Sequence, residues 1–191
     1  MREIVLDTET TGFKFSEGHR MVEIGCVELI DGKPTGRTFH AYFNPERDVP
    51  EGAVKVHGLT TEFLQDKPLF VEKALELMTF IGDARLVIHN AEFDMPFLNG
   101  ELAQAGFPPI AKERVTDTLL MAREKFPGQK ATLDSLCEKF GVDTSARVNH
   151  GALLDAELLA GVYPKLCDAA PEPRRPAPPK PPVPPASPAK Q

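Results

Sequence analysis

The sequence predicts an α/β layered domain with a mixed β-sheet, and three observations carry that expectation. Strand-like runs come first, at Glu3–Thr8, Met21–Ile30 and Arg37–Phe43, before any long helical pattern. From Phe70 onward helical patterns dominate, and one short apolar run, LVIH at Leu86–His89, interrupts them. Antiparallel strands followed by strand–helix alternation are the order that a mixed sheet with helices on its faces requires. With 191 residues, 41% of them hydrophobic and 26% charged, the chain is long and apolar enough for one domain with a substantial core.

Each element has its own signal. Glu3–Thr8 is an apolar run, Met21–Ile30 reads MVEIGCVELI, and Arg37–Phe43 alternates β-branched and aromatic residues. The pair Asp31-Gly32 between the second and third runs is a hairpin turn signal. Helices are expected at Phe70–Ile81, at Met95–Ala105 closed by Gly106, and at Asp117–Lys125 closed by Pro127-Gly128. Two more are expected, at Leu133–Phe140 closed by Gly141 and at Ala152–Leu166. After Cys167 the composition changes: the last 24 residues hold 10 of the chain's 19 prolines. Such a stretch lacks the backbone donors and apolar surface a core needs. The expected organisation is therefore a folded domain over 1–167 and an extended proline-rich tail or linker over 168–191.

Composition excludes several classes of function. No apolar run approaches the roughly 18 residues of a membrane span, and the N-terminus lacks the plan of a signal peptide, so a cytoplasmic address is expected. Cys26, Cys137 and Cys167 are odd in number and widely spaced, which suggests neither a disulfide frame nor a thiolate metal site. The formal charge of −6 is the wrong sign for a protein that grips duplex DNA by its backbone. Any nucleic acid must be held locally, through metal ions or a partner.

Chemistry is suggested at three places. Asp7 and Glu9 stand two apart at the end of the first strand and so point to one side of it. Two neighbouring carboxylates repel unless a cation lies between them, although both could instead turn into solvent. In HNAEFD, Asp94 follows a buried strand, where open α/β sheets place their sites; it could equally cap a helix beginning at Met95, while Glu92 is expected to face solvent. At about 100° per residue along the last helix, Asp155 falls among Leu158, Leu159, Val162 and Leu166, the middle of the apolar face. A carboxylate there asks for a partner. His150, on the loop before that helix, is either an exposed bystander or a general base with an ordinary pKa of about 6.5. Asp117 and Asp134 read as helix N-caps, and QDKPLF at Gln65–Phe70 lies inside the domain and so does not read as a clamp-binding peptide.

In order, a DxE on the first strand, an Asp after a central strand, and a His with an Asp five residues later resemble the motifs of the DEDDh exonucleases of the RNase H-like superfamily. Within it, VLDTETTG, VHGLT, VIHNAEFD and HGALLDAELLA are similar to the proofreading exonucleases of bacterial replicative DNA polymerases, as are FLQDKPLF and VTDTLLMAREKFPG outside those motifs. The resemblance covers essentially all of 1–167. It implies an RNase H-like fold and 3′–5′ removal of nucleoside 5′-monophosphates from DNA. It further implies two divalent cations, Mg²⁺ or Mn²⁺, held by Asp7, Glu9, Asp94 and Asp155, with His150 as the base. Thr10 and Thr11 are expected against the terminal nucleotide, His57 in its pocket, and Asn90 behind it. The implied partners are DNA with a single-stranded or frayed 3′ end, the polymerase (α) subunit of DNA polymerase III, and a small accessory subunit, at the replisome. A stand-alone nuclease acting in repair or on RNA, and a non-catalytic scaffold, are the competing readings.

Overall fold

In the computed structural model, residues 1–147 and 149–173 are described. Five strands, β1 (Arg2–Thr10), β2 (Met21–Ile30), β3 (Lys33–Tyr42), β4 (Arg85–Ile88) and β5 (Val115–Asp117), form one sheet in the order β3-β2-β1-β4-β5. The β1–β2 and β2–β3 pairs are antiparallel, and β1–β4 and β4–β5 are parallel. The sheet is mixed, as expected. Asp31 and Gly32 both take positive φ, 50° and 74°, the geometry of the tight turn that joins β2 to β3. The described residues also form seven α-helices, α1 (Glu51–His57), α2 (Thr61–Leu64), α3 (Phe70–Ile81), α4 (Ala91–Gln104), α5 (Thr118–Lys125), α6 (Leu133–Phe140) and α7 (Ala152–Asp168), and short 3-10 helices at Phe15–Glu17 and Lys112–Arg114.

Strand alternation divides the core between the two faces of the sheet. Ile4 and Leu6 of β1 pack with Ile24, Leu86 and Ile88 against Leu77 and Ile81 of α3 and Phe97 and Leu98 of α4. Val5, with Val27, Leu29 and Val87, points the other way, onto Ala156, Leu159, Ala160 and Tyr163 of α7. One glycine decides how closely α7 lies on that face. A Cβ at Gly25 would stand 2.3 Å from the Leu153 backbone, so only glycine lets the first turn of α7 rest on β2. Opposite it in the ladder is Asp7.

The structure differs from expectation at several points, beginning with β1, which runs on to Thr10, and β3, which starts at Lys33 directly after the turn. α1 and α2 are single-turn or two-turn helices whose periodicity is too short to register. α4 begins at Ala91, four residues before the expected Met95, because the Asp117 carboxylate accepts from the Asn90 and Ala91 backbone N–H groups at 3.3 and 3.0 Å. Asp94 therefore sits within the first turn and caps nothing, whereas Asp117 caps α5 and serves α4 as well. The cap of α6 is Thr132, not Asp134; the Asp134 carboxylate pairs instead with Arg147. α7 runs through Pro164 to Asp168, and beyond it the Glu172 carboxylate accepts from Gln129 and Lys139 at 2.6 and 2.7 Å. From residue 174 on, the expected proline-rich tail lies outside the described residues.

Candidate active site

The carboxyl ends of the parallel strands β1, β4 and β5 share one rim of the sheet, and the candidate residues collect there. Asp7 and Glu9 have the parity of Val5 and so lie on the α7 face. Thr8, between them, faces the opposite way, and its hydroxyl donates to Asp94 Oδ1 at 2.7 Å, tying the first turn of α4 to β1. Asp155 comes from the first turn of α7, 3% exposed. Glu9, His150 and Asp155 each offer a ligand atom within 4.8 Å of the others. His150, half-exposed, is anchored by its backbone N–H, which donates to the Val56 carbonyl at 3.2 Å. The five residues expected to carry the chemistry thus come from β1, α4, α7 and the loop before α7.

The electrostatics follow from crowding acids in a buried place. Burial, then the carboxylates of Asp94, Glu9, Asp155 and Glu23, hold the Asp7 carboxyl well above the ordinary range. Burial, followed by Glu23, Asp155 and Asp94, pushes Glu9 up to about 8, while Arg147 pulls it down. Asp94 rises to about 7, mainly through burial, against the lowering effect of the Thr8 hydrogen bond. Asp155 Oδ2 accepts from Arg147 Nη2 at 2.6 Å and lies 3.2 Å from His150 Nδ1, but its buried Oδ1 has no partner among the described residues. An unsatisfied carboxylate oxygen among like charges is the atom a cation would satisfy. The donor set, carboxylate oxygens with one imidazole, suits a hard divalent ion.

The remaining expected residues stand in different settings. Thr10 is buried, its hydroxyl donating to the Gly12 carbonyl at 2.6 Å, and the Thr11 hydroxyl is engaged by Arg20 N–H at 3.0 Å and His19 Nδ1 at 3.1 Å. His57, at the end of α1, accepts from Leu59 N–H through Nδ1; burial lowers its pKa, against the raising effect of the Thr10 backbone and Glu23. Asn90 is exposed, in the left-handed region at φ 71°, and lines a groove of about 810 Å³ between α4 and α5. Glu92 is exposed, as expected.

Sequence reasoning missed three contributors. Glu23, 3% exposed, faces Glu9 across the β1–β2 ladder and lies 2.7 Å from His40 Nε2; only the strand register, not the run MVEIGCVELI, brings it to the site. Gly25 carries no chemical signal, although a glycine inside a strand pattern points to close backbone approach. Arg147 precedes His150 by three residues and went unread because an arginine in a polar loop is ordinary.

The mixed five-stranded sheet flanked by helices is an exonuclease-type fold, and the candidate acids converge at the ends of its parallel strands. Residues 4–163 match the Exonuclease (RNase T) family, and the chain belongs to that family. Among curated proteins, it is 53% identical over 169 residues to the DNA polymerase III subunit epsilon of Rickettsia felis, covering 87% of this chain and 74% of that protein. It is 48% identical to the subunit of the same name from Escherichia coli, over 85% of this chain and 70% of that one. Among solved structures, exonuclease X in complex with 5′-overhanging duplex DNA superposes with a TM-score of 0.69 at 25% identity, covering 87% of this chain and 91% of that one. Escherichia coli exonuclease I bound to single-stranded DNA gives 0.73 at 16% identity, over 87% of this chain and 42% of that one, a likeness of fold. The chain is an exonuclease of the 3′–5′ proofreading type, in a divalent-metal-dependent family. Among the described residues, no helix is long and apolar enough to cross a membrane.

Proposed function

We propose that the chain removes nucleoside 5′-monophosphates from the 3′ end of DNA, with Asp7, Glu9, Asp94 and Asp155 holding two divalent cations, Mg²⁺ or Mn²⁺, and His150 as general base. The observation that carries this reading is the convergence of buried acids on Asp155, whose Oδ1 has no partner among the described residues. When bound, such ions supply Lewis acidity at the phosphoryl group and stabilise the leaving oxygen of an in-line displacement. The protein's own part is positional. Thr8 orients Asp94, the first turn of α7 presents Asp155, and His150 stands beside that carboxylate to take the proton of the attacking water. Attack on phosphorus breaks the bond to O3′, which leaves with a proton from solvent, and the shortened strand ends in a new 3′ hydroxyl.

Beside His150 and Arg147 a hollow of about 480 Å³ opens, edged by Lys55 and Asn149, and it offers the strand a path. Phe13, 84% exposed next to Thr11 and Gly12, offers a surface on which a base can stack. With a net charge of −6 the chain needs help in holding DNA, and we assign that help to the polymerase (α) subunit of DNA polymerase III, with a small accessory subunit as a further partner at the replisome. A mispaired end frays more easily than a paired one, which favours its removal without base reading.

The test is a time course on 5′-labelled single-stranded DNA with Mg²⁺, beside the matching RNA, EDTA, and the Asp7→Ala and His150→Ala variants. Stepwise shortening of DNA from its 3′ end is expected, abolished by EDTA and by Asp7→Ala, and slowed about 10²–10⁴-fold by His150→Ala. No shortening in Mg²⁺ or Mn²⁺ would overturn the assignment.

A further inference from the structure

Arg147 occupies the candidate site. Its Nη2 lies 2.6 Å from Asp155 Oδ2 and 2.8 Å from His150 Nδ1, its Nη1 pairs with Asp134, and only 11% of the side chain is exposed. One guanidinium therefore engages both a carboxylate assigned to the metal and the imidazole assigned as base. The contact to Asp155 is short and charge-assisted, the strong kind of hydrogen bond. The anchor on Asp134, which is 68% exposed, holds the same guanidinium from the solvent side.

Both contacts oppose the proposed chemistry. An arginine can only donate, so a ring nitrogen that receives its N–H must carry the lone pair. The proton of a neutral His150 is then on Nε2, and neither nitrogen is free to accept one from water. A base at Nε2 needs the other tautomer, with Nδ1–H donating to Asp155, and that requires Arg147 to move aside. Likewise a divalent ion at Asp155 Oδ1 would stand on the same carboxylate as the guanidinium at Oδ2, and the two cations repel at that separation. The guanidinium also offsets charge in the site, because Asp155 would otherwise stand buried with no cation beside it.

We propose that Arg147 is an internal counter-cation that closes the metal-free site and competes with the divalent ion for Asp155, so that ion binding releases both Asp155 and His150 for catalysis. This rests on the metal reading of the site given above. It assigns a regulatory role to a residue outside the carboxylate set, and it predicts opposite effects of its removal on two measurable quantities: the metal-free protein is less stable, and the ion binds more tightly.

The experiment is isothermal titration of Mn²⁺ into the full chain for the wild type, Arg147→Gln and Arg147→Lys, with melting temperatures of the metal-free proteins taken in parallel. Arg147→Gln is expected to bind Mn²⁺ about tenfold more tightly, the ratio that losing one competing charge-assisted hydrogen bond implies, and to melt lower when metal-free. Arg147→Lys keeps the charge without the two-pronged fork and should fall between the two; it decides the matter if the glutamine variant does not fold. Wild-type uptake with equal or weaker binding by the variants would overturn this inference alone. No uptake by the wild type or the variants would overturn it together with the metal reading.

Discussion

Thr8 shows how much one hydroxyl can decide. Alternation along β1 turns it away from Asp7 and Glu9, and that reversed direction is what lets it reach Asp94 on the other face of the sheet. Thr8→Val keeps the shape and the strand propensity but removes the donor. Because partners that orient metal ligands are worth about 10–100-fold in affinity or activity, we expect exonuclease turnover and Mn²⁺ affinity to fall by about tenfold at unchanged secondary structure, checked by the strand-shortening assay and calorimetry. Glu9 carries a second prediction at this scale. Its folded pKa of about 8 lies above the ordinary carboxylate value, so the folded metal-free protein binds a proton that the unfolded chain has lost. Stability is unpenalised below the unfolded value of about 4.3 and is lost as pH rises toward 8. Metal-free wild type should therefore melt progressively lower than metal-free Glu9→Gln as pH goes from about 5 to 8.5, and calorimetric scans across that window would show it. An unchanged difference across the window would place the Glu9 carboxyl in water.

Elements are held in register by contacts that no single element contains. Glu101 of α4, 1% exposed, accepts from Arg20 Nε and Nη2 at 2.8 and 2.7 Å and from Met21 N–H at 3.2 Å, so α4 is pinned to the start of β2. On the other face, Tyr163 of α7 donates to Glu3 of β1 at 2.8 Å. The first turn of α7 depends on Gly25, and here the expectation is sharp. Gly25→Ala places a methyl 2.3 Å from the Leu153 backbone, which cannot retreat as a flexible side chain would. We expect a loss of about 1–3 kcal/mol in urea unfolding and, because Asp155 moves with that turn, a fall in activity larger than destabilisation alone would produce at a temperature where the variant is folded.

For the molecule as a whole, the question is how an acidic chain meets a polyanion. A charge of −6 and a site lined with acids, edged by Lys55 and Arg147, leave little long-range attraction for DNA. Affinity must come from short-range contacts at the strand end, and stacking on Phe13, exposed two residues after Thr11, is one that the surface offers. Phe13→Ala is expected to weaken single-stranded DNA binding by about 1–3 kcal/mol with little effect on melting temperature, measured by fluorescence anisotropy in Ca²⁺ to suppress turnover. Retention of full affinity would mean that the strand passes elsewhere on the rim.

Sequence alone determined the mixed α/β architecture, the full extents of Met21–Ile30, Phe70–Ile81 and Leu133–Phe140, and Asp7, Glu9, Asp94 and Asp155 as the candidate acids. These are local properties: periodicity, caps and turn residues act over a few positions, and a carboxylate in an apolar face is visible wherever it falls. Only the tertiary structure decided where α4 begins, because its first N–H groups are satisfied by Asp117 from 26 or 27 residues away. Likewise it alone set Glu23 opposite Glu9, seated α7 on Gly25, and laid Arg147 across Asp155 and His150. Each of these depends on which segments become neighbours in space, and pairing energies between distant segments leave no period in the chain.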